Sequence, residues 1–199
     1  NVITIHNPIG FSSEKISNVK NKRIIAVGRL EYQKGFDLLI NILNTPKFKE
    51  SGWALDIFGT GSQKNKLQEI ITSNNIGNIF LKGNSQDIKA EMLGSDFLVL
   101  SSRFEGFPMV LAEAMECGLP CISFDCPNGP SDIIKNGENG FLIDMNNNSL
   151  FFEKIILLIE SYDLRKELSV NAKKSIKSLT LESITKSWIN LLSGLKNEK

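Results

Sequence analysis

The sequence predicts an α/β domain: a parallel sheet of about six strands, helices on both of its faces, and a trailing run of C-terminal helices. Two observations carry this expectation. From Ile24 to Ile143, short β-branched or apolar runs alternate with stretches whose apolar residues recur at helical spacing. Beyond Ile143 the strand-like runs stop and only helical patterns remain. Strands that alternate with helices need crossover connections, and right-handed crossovers put every strand-to-helix loop at the carboxyl edge of the sheet.

The elements follow in order. Ile24-Ile25-Ala26-Val27 reads as a buried strand, and Gly35 to Leu43 as a helix with Phe36, Leu39, Ile40 and Leu43 on one face. Trp53 to Phe58 is a strand, Gln63 to Thr72 a helix, Asn78 to Leu81 a strand and Asp87 to Leu93 a short helix. Phe97-Leu98-Val99-Leu100 is the next strand. The helix from Pro108 to Cys117 is stopped by Gly118 and Pro120. Cys121-Ile122-Ser123-Phe124 is a strand, Ser131 to Lys135 one helical turn, and Gly140 to Ile143 the last strand. Helices are expected over about Asn147–Ser161, Leu164–Ser175 and Leu181–Leu195. Trp53 and Trp188 read as packing residues, and His6 as a structural histidine. The resulting organisation is a hinge or linker with an opening strand over 1–22, a ligand-binding domain over 23–145, and helices packing on it over 146–199. Val2-Ile3-Thr4-Ile5, without an initiator Met, reads as the middle of a strand in something longer.

Composition bounds the chemistry. The 199 residues carry 23 Lys and Arg against 22 Asp and Glu, a formal charge of +1, so no basic face favours nucleic acid. An anion must instead be met by a few placed cations. Cys117, Cys121 and Cys126 match no zinc spacing and stand with a single histidine, so they read as reduced, buried thiols, and no metal site is expected. No stretch reaches the roughly 18 apolar residues of a membrane span. With no signal pattern at the N-terminus, the expected location is cytoplasmic, with a peripheral seat at the inner face of the membrane open to the parent protein.

Three strand-to-helix loops carry functional candidates. In Gly28-Arg29-Leu30-Glu31-Tyr32-Gln33-Lys34-Gly35, Gly28 permits a tight turn, and Arg29 and Lys34 add two charges beside a helix start. Arg grips a phosphate with paired hydrogen bonds while Lys acts as a point charge, a pairing that suits a diphosphate. Two solvated surface cations would look the same. Gly59-Thr60-Gly61-Ser62 lets backbone approach a ligand, or is simply a tight turn, with Ser62 able to cap the next helix. In Arg103-Phe104-Glu105-Gly106-Phe107-Pro108-Met109-Val110-Leu111-Ala112-Glu113, Pro108 suits a first helical position, which leaves the amides of Met109 and Val110 free. Glu105 and Glu113 would then offer carboxylates to hydroxyl groups. The alternatives are a solvated loop acid and a partner of the helix dipole.

Taken together, Val27-Gly28-Arg29-Leu30 with Lys34-Gly35, Phe58-Gly59-Thr60-Gly61, and Glu105-Gly106-Phe107-Pro108 with Glu113-Ala114-Met115, followed by Gly118-Leu119-Pro120, resemble the C-terminal, donor-binding domain of family-four retaining glycosyltransferases of GT-B architecture. The likeness runs from Asn7-Pro8-Ile9, which resembles the interdomain hinge, to Ile143, and it implies a Rossmann-like fold. It also implies that Arg29 and Lys34 bind the donor diphosphate, that Glu105 meets the transferred sugar, and that Glu113 holds the ribose. Glu105, Arg29 and Lys34 are thereby the catalytic candidates. Backbone of Gly28, Gly106, Phe107, Met109 and Val110 would face the phosphates and the sugar. Gly83, Asn84 and Ser85 would line the base. One segment departs from the family pattern: Cys126-Pro127-Asn128-Gly129-Pro130-Ser131-Asp132 replaces a Gly-Gly loop and an expected Glu, a variant resembling bacterial surface-polysaccharide enzymes that use UDP-hexoses. The implied function is transfer of a hexose from a nucleotide-sugar, a UDP-sugar, to a lipid-linked or polysaccharide acceptor, with a missing N-terminal GT-B domain as partner and no cofactor. The alternatives are a non-catalytic nucleotide-sugar-binding module and half of a sugar-nucleotide epimerase.

Overall fold

The computed structural model describes residues 3–196. Its strands are β1 (Arg23–Val27), β2 (Ala54–Phe58), β3 (Ile79–Gly83), β4 (Phe97–Leu100), β5 (Cys121–Phe124) and β6 (Gly140–Ile143). Between them lie α1 (Phe36–Leu43), α2 (Pro46–Lys49), α3 (Lys64–Ser73), α4 (Ile88–Leu93), α5 (Met109–Glu116) and α6 (Pro130–Ile133). The chain continues into α7 (Asn148–Glu160), α8 (Tyr162–Ser175) and α9 (Leu181–Lys196). All pairings are parallel, in the order β3-β2-β1-β4-β5-β6. The chain lays strands outward from β1 on one side, then returns to build the other side from β4. That reversal opens a crevice at the carboxyl ends of β1 and β4, where such sheets take ligands.

Strand alternation splits the core in two. Ile24 and Ala26 face one layer with Leu39 of α1, Leu67 of α3 and Phe151 of α7. Ile25 and Leu98 face the other with Met92 of α4 and Leu111 and Met115 of α5. Trp53 packs as expected, with its ring centroid 5.7 Å from that of Phe97.

Several expectations change. Ile3-Thr4-Ile5 forms no strand, and Val2 lies outside the described residues. The stretch up to Lys22 is irregular, yet it is tied down rather than a free surface linker. Ile9 N–H donates to the Leu179 carbonyl at 2.9 Å, Ser13 N–H to Glu116 at 2.7 Å, and Ser17 N–H to the Cys117 carbonyl at 2.9 Å. The buried end of α5, at Glu116 and Cys117, and the turn at Leu179 supply the acceptors for these backbone groups. α2 went unread because it is a single turn. Its signal is present in Thr45, whose hydroxyl accepts from Phe48 N–H at 3.2 Å, and in Pro46 at the first helical position. α7 is core rather than an added arm, since Phe151 is fully buried with its ring 4.4 Å from Phe124. α9 leaves Leu181, Trp188, Ile189 and Leu192 exposed, so Trp188 lies outside the buried core. No described helix is long and apolar enough to cross a membrane.

Candidate functional site

The loop after β1 is shaped by two close approaches. Gly35, at φ 62°, lies so near the loop after β4 that a Cβ there would stand 2.1 Å from the Ser101 carbonyl oxygen. At Gly28 a Cβ would meet Lys34 Cε at 3.0 Å, because the Lys34 stem runs along this bare backbone. Between them, Tyr32–Lys34 forms a short 3-10 turn. Its last residue, Lys34, is thereby turned back toward the strand end. Arg29 stays exposed, with its guanidinium 3.4 Å from Gln33 Oε1. Ser62 does not cap α3. Its N–H and hydroxyl both donate to the Glu31 carboxylate, each at 2.7 Å, which ties the second loop to the first. Those two bonds hold the Glu31 carboxyl below its usual range.

Glu105 is not a solvated loop acid. Only 9% of it is exposed, and one oxygen accepts from Lys34 Nζ at 2.6 Å and from Ser102 Oγ at 2.5 Å. The strand-order reversal puts the loops after β1 and β4 side by side, so residues 71 positions apart meet. Below this pair lies the Cys126 thiol, pushed up to about 11 by burial and then by the Glu105 charge, so it stays protonated at neutral pH. Cys117, Cys121 and Cys126 are all free and buried.

Pro108 precedes α5 as its N-cap instead of opening the helix. In consequence the Met109 amide is not free: it donates to the Phe107 carbonyl at 2.9 Å. For Val110 no such backbone partner occurs among the described residues. Gly106 is exposed, and the Phe107 ring is covered by His6, stacked at 4.3 Å. Gly129, at φ 105°, packs against Pro108 with no room for a Cβ, which would lie 2.4 Å from Pro108 Cδ. Asp132 is exposed at the start of α6.

Glu113 is half-buried in the second turn of α5, beside Gly10, where a Cβ would come within 3.3 Å of its Oε1. Among the described residues it has neither a hydrogen-bond nor an ion-pair partner, and burial raises its pKa. On the other side of β1, Asn84 and Ser85 join Gly28, Arg29 and Thr60 around a cavity of about 430 Å³ walled by Val27, Phe58 and Ile88. Gly83, at φ 70°, makes the turn that leads into it. The structure therefore groups Gly28, Arg29, Asn84 and Ser85 around one cavity, joins Lys34 to Glu105 with the Lys34 stem against Gly28, and sets Glu113 apart beside Gly10. No group of His, Cys, Asp and Glu among the described residues is placed to hold a metal ion.

Sequence reasoning gave no role to Gln33, Ser102 or Arg103. Gln33 Nε2 donates to the Phe104 carbonyl at 3.0 Å, and Arg103 forks onto Asp37 at 2.9 and 2.8 Å. Asp37 sits on the first turn of α1, and no local pattern pairs it with a residue 66 positions away.

The fold and its crevice define a Rossmann-like α/β domain with cations on the loop after its first strand and carboxylates on the loop and helix after its fourth. The chain belongs to the glycosyl transferases group 1 family, whose model matches residues 11–175. It is 37% identical over 175 residues to the amylovoran biosynthesis glycosyltransferase AmsD of Erwinia amylovora, across 87% of this chain and 49% of that protein. It is 32% identical to the poly(ribitol-phosphate) alpha-N-acetylglucosaminyltransferase of Staphylococcus aureus, across 98% of this chain and 38% of that one. The fold matches a crystal structure of a Staphylococcus aureus TarM mutant in complex with fondaparinux, alpha-GlcNAc-glycerol and UDP, with a TM-score of 0.82 and 30% identity over 96% of this chain and 38% of that chain. The chain thus spans about half the length of the curated relatives it matches, or less.

Proposed function

We propose that this chain is the donor-binding half of a retaining glycosyltransferase that moves a hexose from a UDP-sugar to a hydroxyl acceptor in bacterial polysaccharide or glycolipid synthesis. The observation that carries the reading is the Lys34–Glu105 pair at the sheet's reversal point, with Glu105 buried and the Lys34 stem running along Gly28, a residue of the Arg29 cavity wall. A cation and a carboxylate 2.6 Å apart suit the junction of a diphosphate and a sugar, where negative oxygens adjoin hydroxyls. The UDP in the TarM structure supports the choice of nucleotide.

In this reading Arg29 and Lys34 hold the diphosphate, aided by the Val110 amide at the start of α5 and the backbone of Gly28, Gly106 and Phe107, while the Met109 amide stays bonded to the Phe107 carbonyl. Glu105 accepts from sugar hydroxyls and Glu113 from the ribose. The base lies against Gly83, Asn84 and Ser85. The bond from the anomeric carbon to the diphosphate oxygen breaks as the acceptor oxygen attacks from the same face, and the acceptor proton passes to the departing phosphate. UDP leaves with its added charge stabilised by Arg29 and Lys34. No divalent metal takes part, because two side-chain cations already offset the diphosphate. The parent protein works in the cytoplasm, at the inner face of the membrane when its acceptor is lipid-linked.

Calorimetric titration of the chain with UDP, GDP and ADP tests the reading. Binding that prefers UDP is expected, and no binding of any nucleotide would overturn it. EDTA should leave the UDP affinity unchanged. A loss that magnesium restores would mean that a metal, not Lys34, carries the phosphate.

A further inference from the structure

We propose that Arg103 is a positioning residue for the donor diphosphate, acting through Lys34. The inference rests on the donor-site reading above. Lys34 ends a short turn with no buried side chain of its own to fix it. Arg103 supplies the anchor from across the crevice. Its guanidinium forks onto both oxygens of Asp37, at 2.9 and 2.8 Å, and donates to the Tyr32 carbonyl at 2.7 Å. The same group lies 4.0 Å from the centroid of the Tyr32 ring. Its backbone N–H donates to the Gln33 carbonyl at 2.8 Å. One residue on the loop after β4 thus holds the start of the Tyr32–Lys34 turn, its middle, and the first turn of α1 behind it.

The Arg103 side chain is spent on these contacts and is only 17% exposed, so it is not a free phosphate ligand. Glu105, two residues further on, receives Lys34 Nζ. Arg103 and Glu105 therefore grip the turn at both ends. With the Arg103 fork removed, Lys34 keeps the Ser101 hydroxyl bond to its carbonyl at 3.0 Å and its N–H bond to the Glu31 carbonyl, but the Tyr32 end of the turn and the first turn of α1 lose their side-chain anchor, so the Lys34 stem leaves a less fixed base. A planar fork is required for this geometry, and lysine cannot supply it.

The test is a double-mutant cycle read by UDP titration of the full chain. Arg103→Gln should weaken UDP about 5–30-fold in the wild-type background and less than about twofold when Lys34→Met is already present. Lys34→Met keeps the stem over Gly28 and removes only the charge. Uridine, which has no phosphate, should bind Arg103→Gln as it binds wild type. Should Arg103→Gln fold poorly, Asp37→Asn removes the other side of the fork and should give the same pattern, and Arg103→Lys should not rescue it. Equal losses in both Lys34 backgrounds, equal losses for uridine, or unchanged UDP affinity in Arg103→Gln would each overturn the proposal. A wild-type chain that binds UDP with Arg103 indifferent removes this inference alone. A wild-type chain that binds no UDP removes the donor site and this inference with it.

Discussion

Lys34 has two claims on its one charge, Glu105 in the structure and the donor phosphate in the proposed reaction, and that competition sets the outcome of substitution. Arg29→Ala or Lys34→Ala removes a charged hydrogen bond of about 1.5–3 kcal/mol, so UDP should bind roughly 10–150-fold more weakly in calorimetry. Unchanged affinity in both variants would take this loop out of the site. Glu105→Ala releases Lys34 from its 2.6 Å contact and removes a negative charge from the phosphate site. UDP affinity should hold or rise while UDP-glucose affinity falls, and a parallel loss of both ligands would contradict the division of roles. The Glu113 carboxylate differs from that of Glu105 in having no hydrogen-bond or ion-pair partner among the described residues. Burial raises its pKa above the unfolded value, so the folded state binds the extra proton between the ordinary carboxylate range and the raised value. Stability from this group is full below the unfolded pKa and is lost as pH rises through the folded one. Glu113→Gln should therefore raise the melting temperature at neutral pH while weakening UDP. A Glu113→Gln variant less stable than wild type at pH 7 would mean that the carboxylate has a partner in the folded protein. The spacing of the two glutamates was legible in the sequence. Their different surroundings were not, because Lys34 pairs with Glu105 and Gly10 lies beside Glu113, both far away along the chain.

The loop between β1 and α1 shows how one element separates binding from stability. Gly35 has a positive φ and faces the Ser101 carbonyl, which is backbone and cannot move aside cheaply. Gly35→Ala should cost at least about 1–3 kcal/mol of stability, the usual range for a side chain held in a strained conformation. Gly28 faces only the flexible Lys34 stem, at 3.0 Å. Gly28→Ala should leave stability nearly intact and move the ammonium, weakening UDP by up to about tenfold. Denaturant melts and titrations on both variants distinguish the two glycines, and a reversed pattern would show that Lys34 does not lie where its contact with Gly28 puts it. Strands and helices were readable because periodicity is a local signal: β1, β4 and β5 are apolar runs buried on both faces. What escaped depends on contacts between elements. Ser62 reads as a cap, but α3 begins at Lys64 with Gln63 in the cap position, and the Ser62 N–H and hydroxyl donate instead to the Glu31 carboxylate across the loop. The strap from Ile3 to Lys22 has no periodicity, and its burial is decided by acceptors at the end of α5.

At the scale of the whole molecule, one sheet carries one wall of a crevice. Every candidate residue lies on loops or helix starts above the carboxyl edge of that sheet, and the relatives this chain matches run about twice its length or more. Glycosyl transfer needs donor and acceptor held together in near-attack geometry, an arrangement that supplies about 7–11 kcal/mol of barrier reduction. Donor affinity can reside in this wall alone, because Arg29, Lys34, Glu105 and Glu113 all belong to it. Acceptor positioning cannot be supplied by the same residues, since in the proposed reading they are already engaged by phosphate, sugar and ribose. The 199-residue chain should therefore bind UDP and its sugars yet give no acceptor-dependent UDP release at an enzymatic rate, while slow hydrolysis of the donor by water is compatible with an open crevice. The measurement is UDP release with and without hydroxyl acceptors, by this chain and by a relative of full length. Acceptor-dependent turnover by the chain alone, at a rate comparable to that relative, would mean that a second wall is unnecessary and that an acceptor site lies within these residues, with the exposed Tyr32 and Phe104 beside the Glu105 loop as the first place to look for it.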